Sequence, residues 1–508
     1  MLKRKAWNTP MKWLFNKSNS KKTGSKELSL KELLNICGES KDFLSFQHGS
    51  EYTVGYFKSM VDTATIHQDI LPSLSEQKMD SLEQLKLMMP VEDIQITKDV
   101  SKLEELLLNG SILIQKKGSQ EVLLVPASSK EKRAITIPEN EYTVLGPKEA
   151  FVESLETNIN LLRKRLPIPQ LYVKVLKVGK LTKTKVAILY IEGIANKEMI
   201  ETVTCRIESI EIDQVVDTAY ITQMIEDNNT SMFPQLIETE RPDRVAAVLA
   251  EGKIAVLTDG SPSAITGPTT LVEFFSAFED YFLTWHIASA FRLIRLFAVM
   301  FSVLSTPLYV AVLTYHYEMI PEDLLYTLIS SRSGIPFPPI LEAIILELTI
   351  ELLREAGSRL PTKVGQTIGI VGGIVIGTAA VDAGLTSNVL LIVVALAALA
   401  SFTTPVYKMS NTIRLLRFPF LVFAQLLGLL GISICFAYIL VHLLKLKSLG
   451  TPYIGPIYPL RLSDLKDALF RLPFRDQTTR PHAVLSREPA RYHPRRPLKP
   501  DKNKDIDE

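Results

Sequence analysis

The sequence has 508 residues, enough for two or three domains, and its 57 basic against 55 acidic residues give a formal net charge of +2. That near balance excludes the basic footprint of a nucleic-acid-binding chain. Three isolated cysteines (Cys37, Cys205, Cys435) and seven scattered histidines exclude a disulfide framework and a zinc site, and no HExxH, GxSxG, P-loop or dinucleotide glycine pattern points to an enzyme or a cofactor.

Residues 1–27 form an arm rich in Lys, Ser and Asn, without the apolar core of a signal peptide. Trp7, Trp13, Leu14 and Phe15 among its lysines suit contact with an anionic membrane surface; a plain flexible tail is the simpler reading. Residues 28–145 read as a mixed α/β unit. A helix at SLKELLNIC leads to strands DFLSFQHG and YTVGYFK, helices SEQKMDSLEQLKLMM and DVSKLEELLLN, and a hairpin SILIQKKGSQEVLLVP. Residues 146–285 repeat the theme. A helix at PKEAFVESLETNINLLRKRL precedes strands LYVKVLKVG and KVAILYIEG, then helices NKEMIETVTCRIES, TAYITQMIED and RPDRVAAVLA, and the strand pair KIAVLTDGSPSAIT.

The ends of these units align without a gap, LLLNGSILIQKKGSQEVLLVP on VLAEGKIAVLTDGSPSAITGP. Gly110 falls on Gly252, Gly118-Ser119 on Gly260-Ser261, and Pro126 on Pro268. A duplicated subdomain explains the match; so does the chance likeness of any helix followed by a hairpin. Neither copy carries a catalytic constellation, which suits a sensing or assembly module.

Residues 286–446 are apolar enough for a helical membrane domain of about four spans, Leu296–Thr314, Val364–Ala383, Leu385–Phe402 and Phe418–Leu444. Arg292 and Arg295 place the α/β side in the cytoplasm, and Glu318, Glu322 and Asp323 suit the opposite side. Four spans leave Lys408, Arg414 and Arg417 outside, against the positive-inside preference. A fifth span at Pro339–Ala356 would move them in and the basic tail out. Residues 447–508 are expected to be a basic, Pro/Arg-rich cytoplasmic tail with a short helix near LSDLKDALFRL, able to dock on headgroups or a partner but more simply solvated.

Two adjoining segments stand out. Pro338-Pro339 starts an amphipathic helix over 338–356 with Glu342 in its first turn, and Glu347, Glu351, Arg354 and Glu355 share one side, Glu351 and Arg354 spaced to pair. Such a stripe fits an interfacial elbow, a contact with a basic neighbour such as Arg292 or Arg414, or a ring of carboxylates at the mouth of an ion path. The next segment places Gly369, Gly372, Gly373 and Gly377 on a narrow helical ridge. Close helix packing alone accounts for that ridge. Two such faces could also surround a pore lined by Gln366, Thr367, Val371, Val375 and Thr378.

These residues resemble a known family. IPFPPILEAIILELTIELLREAGSRLP followed by VGQTIGIVGGIVIGTAAVDAGLTS is similar to the hallmark of the A subunit of spore germinant receptors, the GerA family. ESLETNINLLRKRLP, DNNTSMFPQLIETERPDRV and EGKIAVLTDGSP support the likeness. The blocks run from about Gly146 to Pro405. The resemblance implies an inner spore membrane, a transporter-like B subunit, a lipoprotein C subunit and a homo-oligomer. It implies nutrient triggering followed by release of cations and then dipicolinic acid. A paralogue encoded with the dipicolinic-acid channel genes belongs to the same family. One departure is Thr378 where an amide is expected, with Asp382 in the following turn.

Overall fold

The computed structural model describes residues 29–49, 51–75, 81–128, 138, 141, 143–359 and 377–491. The first unit is a five-stranded antiparallel sheet of β1 (Phe43–His48), β2 (Tyr52–Phe57), β3 (Gln95–Thr97), β4 (Ser111–Lys116) and β5 (Val122–Pro126), in the order β1-β2-β4-β5-β3. The second contains β6 (Leu171–Val178), β7 (Thr184–Ile191), β8 (Ile237–Thr239), β9 (Ile254–Thr258) and β10 (Ala264–Gly267), in the order β6-β7-β9-β10-β8. Counted along each unit the two orders are the same, and helices occupy the same places between strands. The fold is therefore two related α/β units, a duplication rather than a chance echo.

Alternating side chains of the central strands explain why helices cover both faces. In β4, Ile112 and Ile114 join a core with Ile66, Ile70 and Leu85, while Leu113 joins Leu33, Leu103 and Leu107 on the other face. In β9, Ile254 and Val256 pack on Met199, Val203 and Ile221, whereas Ala255 and Leu257 meet Ile159, Leu162 and Leu249. The aligned glycines have matching backbones, φ +88° at Gly110 and +96° at Gly252. Both end a helix in the left-handed conformation that favours glycine. At Gly110 a Cβ would also stand 2.7 Å from the Met60 carbonyl oxygen. A buried arginine joins the units: Arg163, 0% exposed, donates to Asp42 at 2.7 Å and to Ser40 at 3.2 Å, and lies 4.1 Å over the Phe57 ring.

The helical part begins with Trp285–Tyr315, whose start is tied to the second unit by Arg292 and Arg295 on Asp280. The helices Glu322–Arg332, Pro339–Ser358, Gly377–Asp382 and Asn388–Ser401 follow. Trp285–Tyr315 and the apolar stretch Tyr407–Lys445 are each long and apolar enough to cross a membrane. Large apolar side chains stay exposed along both, Ile294, Phe297, Leu426, Leu430 and Phe436 among them.

The last stretch differs from the single span expected over Phe418–Leu444. At Gly428 the backbone takes φ +61° and ψ −137°, which breaks the helix into arms of residues 407–427 and 429–445. The arms run antiparallel. Thr412 in the first donates to the Met232 carbonyl at 2.6 Å, and His442 in the second meets the Ser231 hydroxyl at 2.9 Å. In one straight helix those positions would lie ~45 Å apart. A Cβ on Gly431 would collide with the Phe423 carbonyl, so the arms touch backbone to backbone. Continuous hydropathy conceals a reversal of this kind, because the apolar run continues from Phe418 through the turn to Leu444.

The reversal changes the topology. Lys408 lies 2.5 Å from Glu238 of the second unit, so the end of the hairpin that bears Lys408, Arg414 and Arg417 faces the α/β side and not the far side. The helix expected over Leu385–Phe402 is shorter, Asn388–Ser401, started by the Ser387 cap. Most of the span expected at Val364–Ala383 lies outside the described residues.

Residues 447–491 also differ from a solvated tail. They pack back on the second unit: Tyr453, 0% exposed, donates to the Pro234 carbonyl at 2.7 Å, and Arg471 reaches the Leu283 carbonyl at 2.6 Å. The helix Leu462–Ala468 occurs where a short one was expected. Composition rich in Pro and Arg hides this, since the tail is buried at scattered single residues such as Leu449, Tyr453, Ile454, Arg471 and Val484 rather than along a periodic apolar face.

Candidate functional site

The acidic helix Pro339–Ser358 starts at the proline pair, with Pro338 as its cap. Three of its four carboxylates point at the other helices. Glu342, fully buried, accepts from Arg332 at 2.9 Å and from the Ser387 amide at 3.2 Å. It thereby sits at the positive end of Asn388–Ser401, where a negative charge is favoured. One turn and a half further on, Glu347 (1% exposed) accepts from Thr306 at 3.0 Å and from Arg417 (2% exposed). Arg417 also donates to the Ser302 hydroxyl at 2.9 Å and to the Ala397 carbonyl at 3.4 Å.

Glu351 closes the seam. It pairs with Arg414 at 3.2 Å and with Arg354 at 3.6 Å, and Arg354 continues to the Ser401 hydroxyl at 3.2 Å and stacks 4.2 Å over the Phe402 ring. Glu355 leaves the seam and pairs with Arg359 on the surface. Of the neighbours weighed from sequence, Arg414 meets the stripe; Arg292 is engaged with Asp280 and Asp467 instead.

The seam thus joins Trp285–Tyr315, Pro339–Ser358, Asn388–Ser401 and the first arm of the hairpin. A carboxylate or guanidinium removed from water costs several kcal/mol unless paired and hydrogen-bonded, so each pair fixes the register of the helices that supply it. Glu342, Glu347 and Glu351 all have an arginine within 3.3 Å. The arrangement holds compensated charge. Among the described residues no group of three or more His, Cys, Asp or Glu is placed to hold a metal ion.

Of the glycine ridge, Gly377 is described and buried, and a Cβ added there would meet Leu391 at 3.6 Å, an ordinary packing distance; Thr378 lies on an exposed face. Gly369, Gly372, Gly373, Gln366, Thr367, Val371 and Val375 lie outside the described residues. Three features of the site escape the sequence reading. Arg417 stands out there only as a topology marker. Gly428 and Gly431, three apart in LLGLLGIS, are a readable sign of an interrupted helix. The loop from Ser231 to Gln235 touches both arms of the hairpin, and its only sequence signal is its membership in a recognisable block.

At the far end of the hairpin, the Tyr315 hydroxyl donates to the Gln425 carbonyl at 2.7 Å, and the Leu429 amide donates to His316 Nε2 at 3.4 Å. These bonds serve backbone groups that the break at Gly428 removes from the helical ladder. In apolar surroundings such groups need a partner.

Similarity to known proteins supplies the context for this geometry. The chain is 52% identical over 470 residues to spore germination protein GerQA of Bacillus cereus, covering 92% of this chain and 94% of that one. It is 47% identical to spore germination protein GerIA of Bacillus cereus (90% of this chain, 70% of that one) and 38% identical to spore germination protein KA of Bacillus subtilis strain 168 (86% and 81%). Another relative, 38% identical over 411 residues, is described as the uncharacterized membrane protein YfkQ of Bacillus subtilis strain 168 (81% and 80%). The crystal structure of the N-terminal domain of the A subunit of the Bacillus megaterium spore germinant receptor GerK3 is 28% identical, covers 47% of this chain and 94% of that chain, and superposes with a TM-score of 0.36. The family described as Bacillus/Clostridium GerA spore germination protein matches residues 31–483, and the chain belongs to it.

Proposed function

We propose that this chain is the A subunit of a nutrient germinant receptor. In this reading it is integral to the inner spore membrane, with its α/β units in the cytoplasm. It assembles with a transporter-like B subunit and a lipoprotein C subunit, and oligomerises to form or gate an ion-release pathway. Family membership supports the germination role. The exposed apolar belt of the long helices supports the membrane, since soluble monomers rarely leave such a surface uncovered.

The observation that carries the gating part is the loop from Ser231 to Gln235. It belongs to the second α/β unit, yet it contacts the two arms of the hairpin within adjacent residues. A movement of the α/β units therefore reaches both arms together, and the charged seam passes it to the acidic helix through Arg417 and Glu347. A second reading, a non-conducting scaffold or accessory germination paralogue, is favoured by the pairing of Glu342, Glu347 and Glu351, which leaves none of the three as a bare lining carboxylate.

Potassium efflux from liposomes holding the purified, oligomeric chain separates the two. A conducting subunit gives efflux that falls in Arg417→Met, where Glu347 loses its counter-charge. Absence of efflux from an oligomer of confirmed mass favours the scaffold.

A further inference from the structure

Outside the seam, an open-mouthed cavity of about 700 Å³ lies where three parts of the chain meet. The helix Pro242–Ala250 forms one wall with Ala247 and Val248. The connector into the first long helix forms another, with Phe278 and Tyr281 from the turn Phe278–Tyr281. The packed tail closes the third with Phe474. The volume falls within the range of pockets that bury a drug-sized molecule, roughly 300–1,000 Å³.

The walls mix aromatic rings with charge that is already spent. Lys253 pairs with Glu273, Arg491 with Glu251 at 2.6 Å, and Arg244 with Glu141 at 2.9 Å. Arg480 gives its guanidinium to the carbonyls of Ala250, Glu488 and Ala490. Asp467 accepts from the Tyr281 hydroxyl at 3.0 Å and from Arg292. An added ionic group would have to displace one of these partners, and its desolvation would go uncompensated. Rings and alkyl groups, in contrast, offer a flat uncharged body an apolar slot with polar atoms at the edge.

We infer that this cavity is a binding site for a small uncharged molecule with an aromatic body, held between the second α/β unit and the tail. The site is independent of whether the chain conducts ions. Its placement gives it a consequence. The tail segment that closes it also clamps the entry to the first long helix, through Arg471 on the Leu283 and Tyr281 carbonyls and through Ser289. An occupant braces the tail against the connector and stiffens the joint between the α/β units and the helices.

The experiment uses the purified full chain in lipid nanodiscs, with indole as the probe and saturation-transfer NMR as the readout. Saturable indole binding is expected, weakened by about tenfold or more in Ala247→Phe, which fills the cavity from an exposed helix position. Phe474→Ala, at an exposed ring of the tail, is expected to weaken it several-fold even where the larger residue disturbs folding. Benzoate and benzylamine, of similar size but opposite charges, are expected to bind at least about tenfold more weakly than indole. Absence of saturable indole binding, equal binding by both variants and the parent, or equal binding of the charged probes overturns the inference.

Discussion

Between its last helix before the edge strand and that strand, the first α/β unit has residues 89–94, while the second has 226–236 at the same place in the same topology. The shorter connection is a plain link. The longer one is an organised loop. Gln235, fully buried, donates to the Asn228 carbonyl at 2.6 Å and accepts from the Asn228 amide at 3.0 Å, stapling the loop shut. Held in this way, the loop offers Ser231, Met232 and Pro234 to the hairpin and the tail. Two copies of one fold have thus taken different parts, and the difference lies in a loop rather than in the sheet. The first unit is joined to the second at Arg163, and the second carries the loop that meets the hairpin.

That division can be broken at the joint between the copies. Arg163→Met would leave Asp42 buried with the Ser59 amide and hydroxyl but without its counter-charge. Stripping one partner from a buried pair costs about 3–5 kcal/mol. Denaturant unfolding of the purified chain should show a lower midpoint, and limited proteolysis should attack the first unit before the second. Unchanged unfolding would mean that this arginine does not lock the copies together.

On the side of the helices, the hairpin is the feature that lets a single loop touch two arms. Gly431→Val would drive a side chain into the Phe423 backbone and part the arms, an overpacking cost of about 1–3 kcal/mol. Spin labels on Tyr407→Cys and Val441→Cys read the geometry directly. A hairpin brings them together, whereas one straight helix would hold them ~51 Å apart. A measured separation near the longer value in the parent protein would sink the hairpin, and with it the two-armed contact of the second unit.

Cysteines give a gentler comparison of the copies. Burial pushes the Cys37 thiol of the first unit up to about 12, with Arg163 nearby pulling the other way and Glu104 adding slightly to the rise. Cys205 of the second unit is exposed. Iodoacetamide at about pH 8 should label Cys205 and spare Cys37 until the first unit unfolds. A folded pKa above the unfolded value of ~8.5 contributes stability that is complete below ~8.5 and is lost as pH rises toward about 12. The first unit should therefore weaken in alkali ahead of the second. Labelling of Cys37 in the folded chain would contradict its burial.

Much of the α/β architecture is legible in the sequence because most strands are short β-branched or aromatic runs and most of the longer helices carry a side-chain cap. Ser29, Asp99, Ser154, Asn196 and Asp217 all accept from an amide in the first turn. The duplication shows in the glycine register because Gly110 and Gly252 must both adopt positive φ. The helical part is less legible for a different reason. Hydropathy measures how apolar a stretch is and not its direction, so a turn at Gly428 within an apolar run leaves no mark in the hydropathy, and only the Gly428 and Gly431 pair signals it. The acidic stripe is visible as spacing, but which arginines meet it depends on that hidden turn, and Arg417 reaches Glu347 only because the hairpin enters from the α/β side. The packed tail rests on contacts between residues such as Ser448 and Thr269, 179 positions apart, which no local pattern carries.

The smallest expected effect on stability bears most directly on the difference between the copies. Lys408 pairs with Glu238 at 2.5 Å, across the junction of the second unit and the first arm, and its side chain is two-fifths exposed. An ion pair so placed is worth roughly 0.2–1 kcal/mol. Glu238 also accepts from Thr222 at 2.5 Å, so it stays hydrogen-bonded without the lysine. Lys408→Met should therefore leave the unfolding midpoint almost unchanged and the protein present at its normal level. If the second unit drives the hairpin, the same substitution should still slow nutrient-triggered germination of spores, because it loosens one of the few contacts through which movement passes. Slower germination with unaltered abundance would tie the loop-bearing copy to the function. Normal germination would shift the transmission to the uncharged contacts of Thr412 and His442, where Thr412→Val and His442→Phe remove the hydrogen bonds to Met232 and Ser231 while keeping the shape of each side chain.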